Sequence, residues 1–257
     1  MQGTANLDFV LKPLALSEFP PGACEDIDGG CLILGPSAWL ALWKPEQVVS
    51  PDKVLRGAKA RAELSGARLA GALLLVWPQN EHGPAVEELA DALYVYGLNP
   101  LNGTATGLPD LVLVLDEQPP APKRPAIAVG QASADEALAE LMAQAGQSGE
   151  SMIGPAGNIS DTLDQLDLHT ASADGQLAGY VAVRPMGLLS RIVSLWVPPD
   201  KREQGAGQAL LRAAIAASTQ RGEIRMFAFA PRDGKLRYYL NKQGFEDSMV
   251  ALHFAAD

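Results

Sequence analysis

The stretch of this chain best spaced to do chemistry is Val197-Pro198-Pro199-Asp200-Lys201-Arg202-Glu203-Gln204-Gly205-Ala206-Gly207-Gln208-Ala209-Leu210. An apolar, strand-like segment (190–197) enters it and an Ala/Leu-rich helical segment (208–217) leaves it. The first N–H groups of a helix have no acceptor within the helix, and the helix dipole favours negative charge at that end. Gly205 and Gly207 carry no side chain, so a phosphate can reach the backbone, and Arg202 can add a charge-assisted contact. No Gly-Lys-Ser/Thr follows, and the third glycine of a dinucleotide fingerprint is missing, so neither of those phosphate motifs applies. The chemistry expected here is the holding of a small phosphate-bearing ligand.

Other reactive residue types are few. The phenols Tyr238 and Tyr239 lie on a helical segment, and His169 and His253 are the side chains that can exchange protons near neutral pH. Cys24 and Cys31 form no disulfide framework and have no companions at zinc-ligand spacing, so no metal site is expected.

The elements that must position these residues follow from periodicity. Strand 126–129 precedes a helix that starts after Ser133, with Glu136 completing a capping box. A short helix is predicted at 159–166. A hairpin follows, 168–173 and 177–183, turning at Asp174-Gly175. Then come strand 190–197, helix 208–217, strand 225–230, helix 234–242 and strand 248–254. The first half reads as strands 31–34 and 39–43, helix 52–67, strand 73–77, helix 84–96 and strand 111–115. Four prolines within Gln118–Pro125 make an extended spacer between the halves. The domains expected are therefore 1–117 and 126–257, joined by the linker 118–125.

Composition narrows the function classes. The chain has 257 residues, 47% hydrophobic and 19% charged, with a formal net charge of −10. That balance fits a folded protein and argues against a nucleic-acid or anionic-membrane binder. The longest apolar runs fall far short of the roughly 20 residues that span a bilayer. With no signal-peptide pattern at the start, a cytoplasmic protein is expected. The negative charge is concentrated in residues 1–120, which hold 7 Lys+Arg against 15 Asp+Glu, whereas residues 184–257 hold 11 against 7.

Arg202-Glu203-Gln204-Gly205-Ala206-Gly207 resembles the Arg/Gln-x-x-Gly-x-Gly/Ala motif of the GNAT acyltransferase superfamily, and Tyr238-Tyr239-Leu240-Asn241-Lys242-Gln243-Gly244-Phe245 resembles its helix ending in Gly-Phe. The resemblance covers residues 126–257 and implies an α/β (α+β) fold, a mixed central sheet flanked by helices. It implies acetyl-CoA or another acyl-CoA as cosubstrate, between strands 190–197 and 225–230. The pyrophosphate would rest on backbone N–H groups from Gln204 to Gln208, and the pantetheine would pair with the strand from Leu195 through Trp196 to Val197. The implied reaction is direct attack of a primary amine, from a small molecule or a peptide, on the thioester. Many members use a tyrosine four residues before the Gly of Gly-Phe as general acid. Leu240 stands there, so Tyr239, or less directly Tyr238, is the candidate. Strand 190–197 has no carboxylate, which leaves His169, His253 or a water relay as base. A non-catalytic acyl-CoA binder and a scaffold without cofactor are the alternative readings.

The halves also resemble each other. Pro51-Asp52-Lys53-Val54-Leu55-Arg56-Gly57-Ala58-Lys59 aligns without gaps on Pro199-Asp200-Lys201-Arg202-Glu203-Gln204-Gly205-Ala206-Gly207. Residues 1–117 are therefore read as a truncated or degenerate GNAT-like copy. Val54 and Lys59 replace Arg202 and Gly207, so this copy is expected not to bind CoA in the usual way. A tandem pair suits a monomer or a homodimer.

Overall fold

The computed structural model describes residues 7–17, 19, 22–101, 110–115, 127–131, 136–147, 165–173 and 175–256. The spacer 118–125, the residues of the 133–136 capping box before Glu136, most of the helix expected at 159–166, and Asp174 of the hairpin turn lie outside these residues. The chain divides into two compact units. The first comprises Met1–Val112, Ala230–Arg237 and Asp247–Asp257, and the second Leu113–Phe229 and Tyr238–Glu246. The stretches 230–237 and 247–257 thus group with the N-terminal part of the chain.

In the first unit, helix α1 (Leu7–Leu16) precedes the antiparallel strands β1 (Ala23–Ile27), β2 (Gly30–Leu34) and β3 (Ala38–Leu42). Helix α2 (Pro51–Leu64) crosses over to β4 (Leu69–Val76), which runs parallel to β3. Helix α3 (Pro84–Val95) and β5 (Leu98–Leu101) follow, then β6 (Asp110–Leu115), within which the chain passes to the second unit. The other side of β4 is filled by the last strand of the chain, β12 (Glu246–Ala256), antiparallel from Val250↔Val76 to Ala255↔Gly71. Residues 72–76 of β4 are all buried, as a strand flanked on both edges requires. Leu32, Leu40, Leu42, Leu73, Leu74 and Leu89 are fully buried in this unit.

The second unit repeats that order and sense. Strands β8 (Asp167–Ala173), β9 (Gln176–Met186) and β10 (Leu189–Trp196) form an antiparallel meander, extended at its edge by β7 (Ala128–Gln131). Helix α5 (Ala206–Gln220) then crosses over to β11 (Arg225–Pro231), parallel to β10. Helix α4 (Glu136–Gln147) lays Leu138, Leu141 and Ala145 over Leu168, Tyr180, Ala182, Val193 and Trp196. Successive strand residues point to opposite faces. Gly179, next to Tyr180, accordingly faces Leu210 of α5, so α4 and α5 cover opposite faces of the sheet. The chain leaves through α6 (Lys235–Lys242).

Sequence and structure agree on the mixed α/β class. The structure adds α1, β1 and β5 to the expected elements.

Candidate functional site

Strands β10 and β11 pair only from Leu189↔Arg225 to Ile192↔Ala228, although β10 runs on to Trp196 and β11 to Pro231. On the β9 side the register slips between Ile192 and Ser194, with Val193 the extra residue. Such a bulge bends and twists a strand, and here it sits where the parallel pair parts. Just before that point the Arg191 guanidinium stacks over the Phe229 ring at 4.7 Å from its centroid. Beyond it, among the described residues, no strand pairs with the edge of Val193–Trp196 that would face β11. A ligand's amides could pair with such an edge.

The chain then passes through a single 3-10 turn, Pro199–Lys201, held by Lys201 Nζ donating to the Leu177 carbonyl at 2.8 Å. The loop 202–205 follows. Arg202 donates from Nε to the carbonyl of Val197 at 3.0 Å, closing the loop across its base. Glu203 has φ +65°, the only non-glycine positive φ among the described residues, and Gly205 has φ +95° as the N-cap of α5. A glutamate held in the left-handed region costs energy, and such strain gathers where backbone N–H groups must be aimed. No side chain caps α5, and its first backbone bond is Ala209 N–H to Gly205 C=O at 3.0 Å. The N–H groups of Ala206, Gly207 and Gln208 therefore have no acceptor within the helix. The expected residues 195–197 and 202–208 thus lie on one continuous path, from unpaired strand edge to helix start.

Helix α6 lies against this start. A β-carbon on Gly207 would sit 3.1 Å from the Tyr239 hydroxyl. Four residues on, in the turn that follows α6, Gln243 accepts a 3.2 Å hydrogen bond from Gln208 Nε2. The Tyr239 hydroxyl is buried and has no hydrogen-bond partner among the described residues. Burial holds its pKa well above the ordinary tyrosine range, and the charge of Arg212 pulls weakly the other way. Tyr238 is 67% exposed, while Leu240, four residues before Gly244, is fully buried in the core.

The histidines stand elsewhere. Nε2 of His169 lies 3.2 Å from Asp167 Oδ2, which also accepts from Arg221 at 2.5 Å. Arg221 follows the last residue of α5. That places His169 in an ion cluster at the end of the helix away from Gly205, since its 15 residues extend about 22 Å. His253 lies in the first unit, paired on β12 with Leu73 of β4 and Leu101 of β5. Among the described residues no group of three or more His, Cys, Asp or Glu is placed to hold a metal ion.

In the first unit the corresponding features are closed. Helix α2 begins at Pro51 and runs unbroken through Gly57, so the residues aligned with loop 202–205 are helical. The pairing of β3 with β4 reaches Leu42, the last residue of β3, and leaves no parted strands. Among the described residues of this unit there is no parted parallel pair and no glycine-opened loop before the crossover helix.

A strand pair that parts beside an uncapped, glycine-opened helix makes an α/β cradle suited to holding a small anionic ligand. Residues 150–245 match the model of the acetyltransferase (GNAT) family. The chain is 29% identical over 225 residues to a mycothiol acetyltransferase of Clavibacter sepedonicus, covering 81% of this chain and 71% of that protein. Among solved structures, a GCN5-related N-acetyltransferase from Kribbella flavida superposes with a TM-score of 0.63 at 16% identity, over 100% of this chain and 96% of its own. A GCN5-related N-acetyltransferase from Sphaerobacter thermophilus gives 0.50 at 16%, over 87% and 75%.

Sequence reasoning found the loop because its glycines are visible. It missed the left-handed Glu203, the Gln208–Gln243 bond and the point at which the strands part. The bulge at Val193 and the end of the β10–β11 register are properties of pairing and leave no local pattern.

Proposed function

We propose that residues 126–257 bind acetyl-CoA, or another acyl-CoA, and transfer the acyl group to a primary amine by direct attack. The observation that carries this reading is the continuous path from the unpaired edge of β10 to the uncapped start of α5. An amide-bearing arm ending in a pyrophosphate fits that path. The pantetheine amides pair with the edge from Leu195 to Val197, and the pyrophosphate accepts from the N–H groups of residues 204–208.

The neutral amine attacks the thioester carbonyl carbon, and the C–N bond forms. The oxyanion accepts a backbone N–H, and the C–S bond then breaks. The amine nitrogen gives up a proton and the thiolate gains one, yielding an amide and free CoA. No carboxylate stands on β10 and His169 is held in an ion cluster, so water takes the amine proton. Thiols ionise near 8.5, so the thiolate leaves readily and collects its proton from water. Tyr239, buried under Gly207, acts in this reading as a wedge that shapes the loop.

Residues 1–117 are, in this proposal, a second GNAT-like copy without a cofactor site. The repeated order of β1-β2-β3-α2-β4 and β8-β9-β10-α5-β11 supports it. The second reading, an acyl-CoA binder without turnover, draws on Leu240 at the family's tyrosine position. Calorimetric titration of acetyl-CoA should give one site per chain. Free CoA should then appear with one of a panel of small and peptide amines. Two sites would contradict the degenerate first copy. Binding without CoA release across the panel would favour the binder.

A further inference from the structure

Helix α6 has eight residues, too few to be stable by itself, and Leu240 is its one buried residue. Its position therefore depends on ties at its ends. The turn before it is compact: Gly234 N–H bonds to the Pro231 carbonyl at 2.9 Å. Arg237 in the first turn of α6 donates from Nη1 to the carbonyl of Arg232 at 2.7 Å and also pairs with Asp247. Arg232 in turn forms a 2.5 Å ion pair with Glu81, 151 residues away in sequence. Glu81 directly follows the 3-10 turn Pro78–Asn80 after β4, and its side chain is only 11% exposed. A charge-assisted bond this sheltered is stronger and less screened than a surface pair.

We propose that the Glu81–Arg232 pair is a positioning element for the cofactor loop. It fixes the turn from which α6 starts; α6 then seats Tyr239 on Gly207, and the turn that ends it seats Gln243 on Gln208. A side chain from the N-terminal half thereby sets the shape of the pyrophosphate cradle. Glu81 and Arg232 touch neither cofactor nor acceptor; they act through α6. The inference rests on the cofactor reading above.

The test uses the full-length chain at a temperature well below its unfolding transition. Glu81→Gln keeps the shape and removes the charge. It should weaken acetyl-CoA binding by about 5- to 10-fold by calorimetry and raise KM in proportion, with kcat at saturation little changed. In the cofactor-free protein, amide hydrogen exchange should quicken in 206–208 and 236–242. Arg232→Gln should do the same, and the double swap Glu81→Arg/Arg232→Glu should recover most of the loss. Asp26→Asn, which breaks the Lys12–Asp26 pair of the first unit, should change none of these readouts. A Glu81→Gln protein that loses thermal stability yet keeps wild-type affinity and wild-type exchange in both segments overturns the proposal. If the wild-type chain binds no acetyl-CoA, the cofactor reading fails, and the exchange measurement alone then decides whether the pair positions α6.

Discussion

The hydroxyl of Tyr239 lies against Gly207, 3.1 Å from where a β-carbon on that glycine would stand. The glycine is thus required twice, by the ligand expected on one side and by the phenol on the other. Gly207→Ala should push the ring aside and weaken acetyl-CoA about 10-fold or more, with little loss of stability. Tyr239→Phe keeps the ring and deletes only a buried hydroxyl that has no hydrogen-bond partner among the described residues. It should leave affinity and turnover within about twofold, because such a hydroxyl contributes no net stabilisation. Steady-state kinetics with calorimetry separate the two outcomes. A drop in kcat of about 100-fold at unchanged affinity would instead make Tyr239 the acid.

Gly57 and Gly205 align in the two halves, yet their backbones differ. Gly57 is inside α2 with open space where a β-carbon would go, and Gly205 has φ +95°. Alanine should therefore act in opposite directions. Gly57→Ala should stabilise by about 0.5–1 kcal/mol through helix propensity. Gly205→Ala should destabilise by about 1–2 kcal/mol through left-handed strain. Urea unfolding of the two variants, read as a shift in midpoint at constant slope, checks the sign of each.

Strand β12 supplies the partner for β4 in the first unit. A chain ending before residue 247 should lose the first unit and not merely shorten the second. The bared edge of Leu69–Val76 is long and apolar, which favours aggregation. Cutting the chain within 118–125 and expressing 1–117 alone should likewise give insoluble protein. Co-expression with 126–257 should restore solubility. A soluble, monomeric 1–117 with native strand content would show that β12 is dispensable there.

Burial keeps two of the five tyrosines, Tyr180 and Tyr239, protonated past the ordinary range of about 10. In both, desolvation is the larger cause, opposed by Ser194 at Tyr180 and by Arg212 at Tyr239. A folded-state pKa above the unfolded value gives stability that is whole below about pH 10 and declines as pH rises toward the folded value. Ultraviolet titration of the native chain should therefore withhold tyrosinate absorbance that denaturant releases. Tyr239→Phe should reduce the released amplitude and flatten the alkaline loss of stability. A titration that is identical with and without denaturant would contradict the burial of both rings.

Much of the second half was readable because its elements are local: glycines mark the loop, alternation marks β8 and β9, and Ala/Leu spacing marks α5. The first half was harder for physical reasons. Strand β1 is an exposed edge, Ala-Cys-Glu-Asp-Ile, with no apolar face. Helix α1 carries Pro13 inside it, and β5 is four residues long with Pro100 among them. The destination of β12 was not readable, since an apolar strand states that it wants neighbours and not which ones. Of the site, the anion cradle was legible as residue types, whereas a gap between strands 190–197 and 225–230 was implied by the family resemblance alone and the residue at which they part was not legible.

The pairing of β12 with β4 also dictates an order of events during synthesis. Between the synthesis of Val76 and that of its partner Val250, roughly 170 residues are added, which at 5–20 residues per second takes roughly 10–35 s. Throughout that interval the nascent first unit lacks its last strand and presents an unpaired apolar edge. Only when residues 250–255 emerge can it close. The first unit to begin is therefore not the first that can finish.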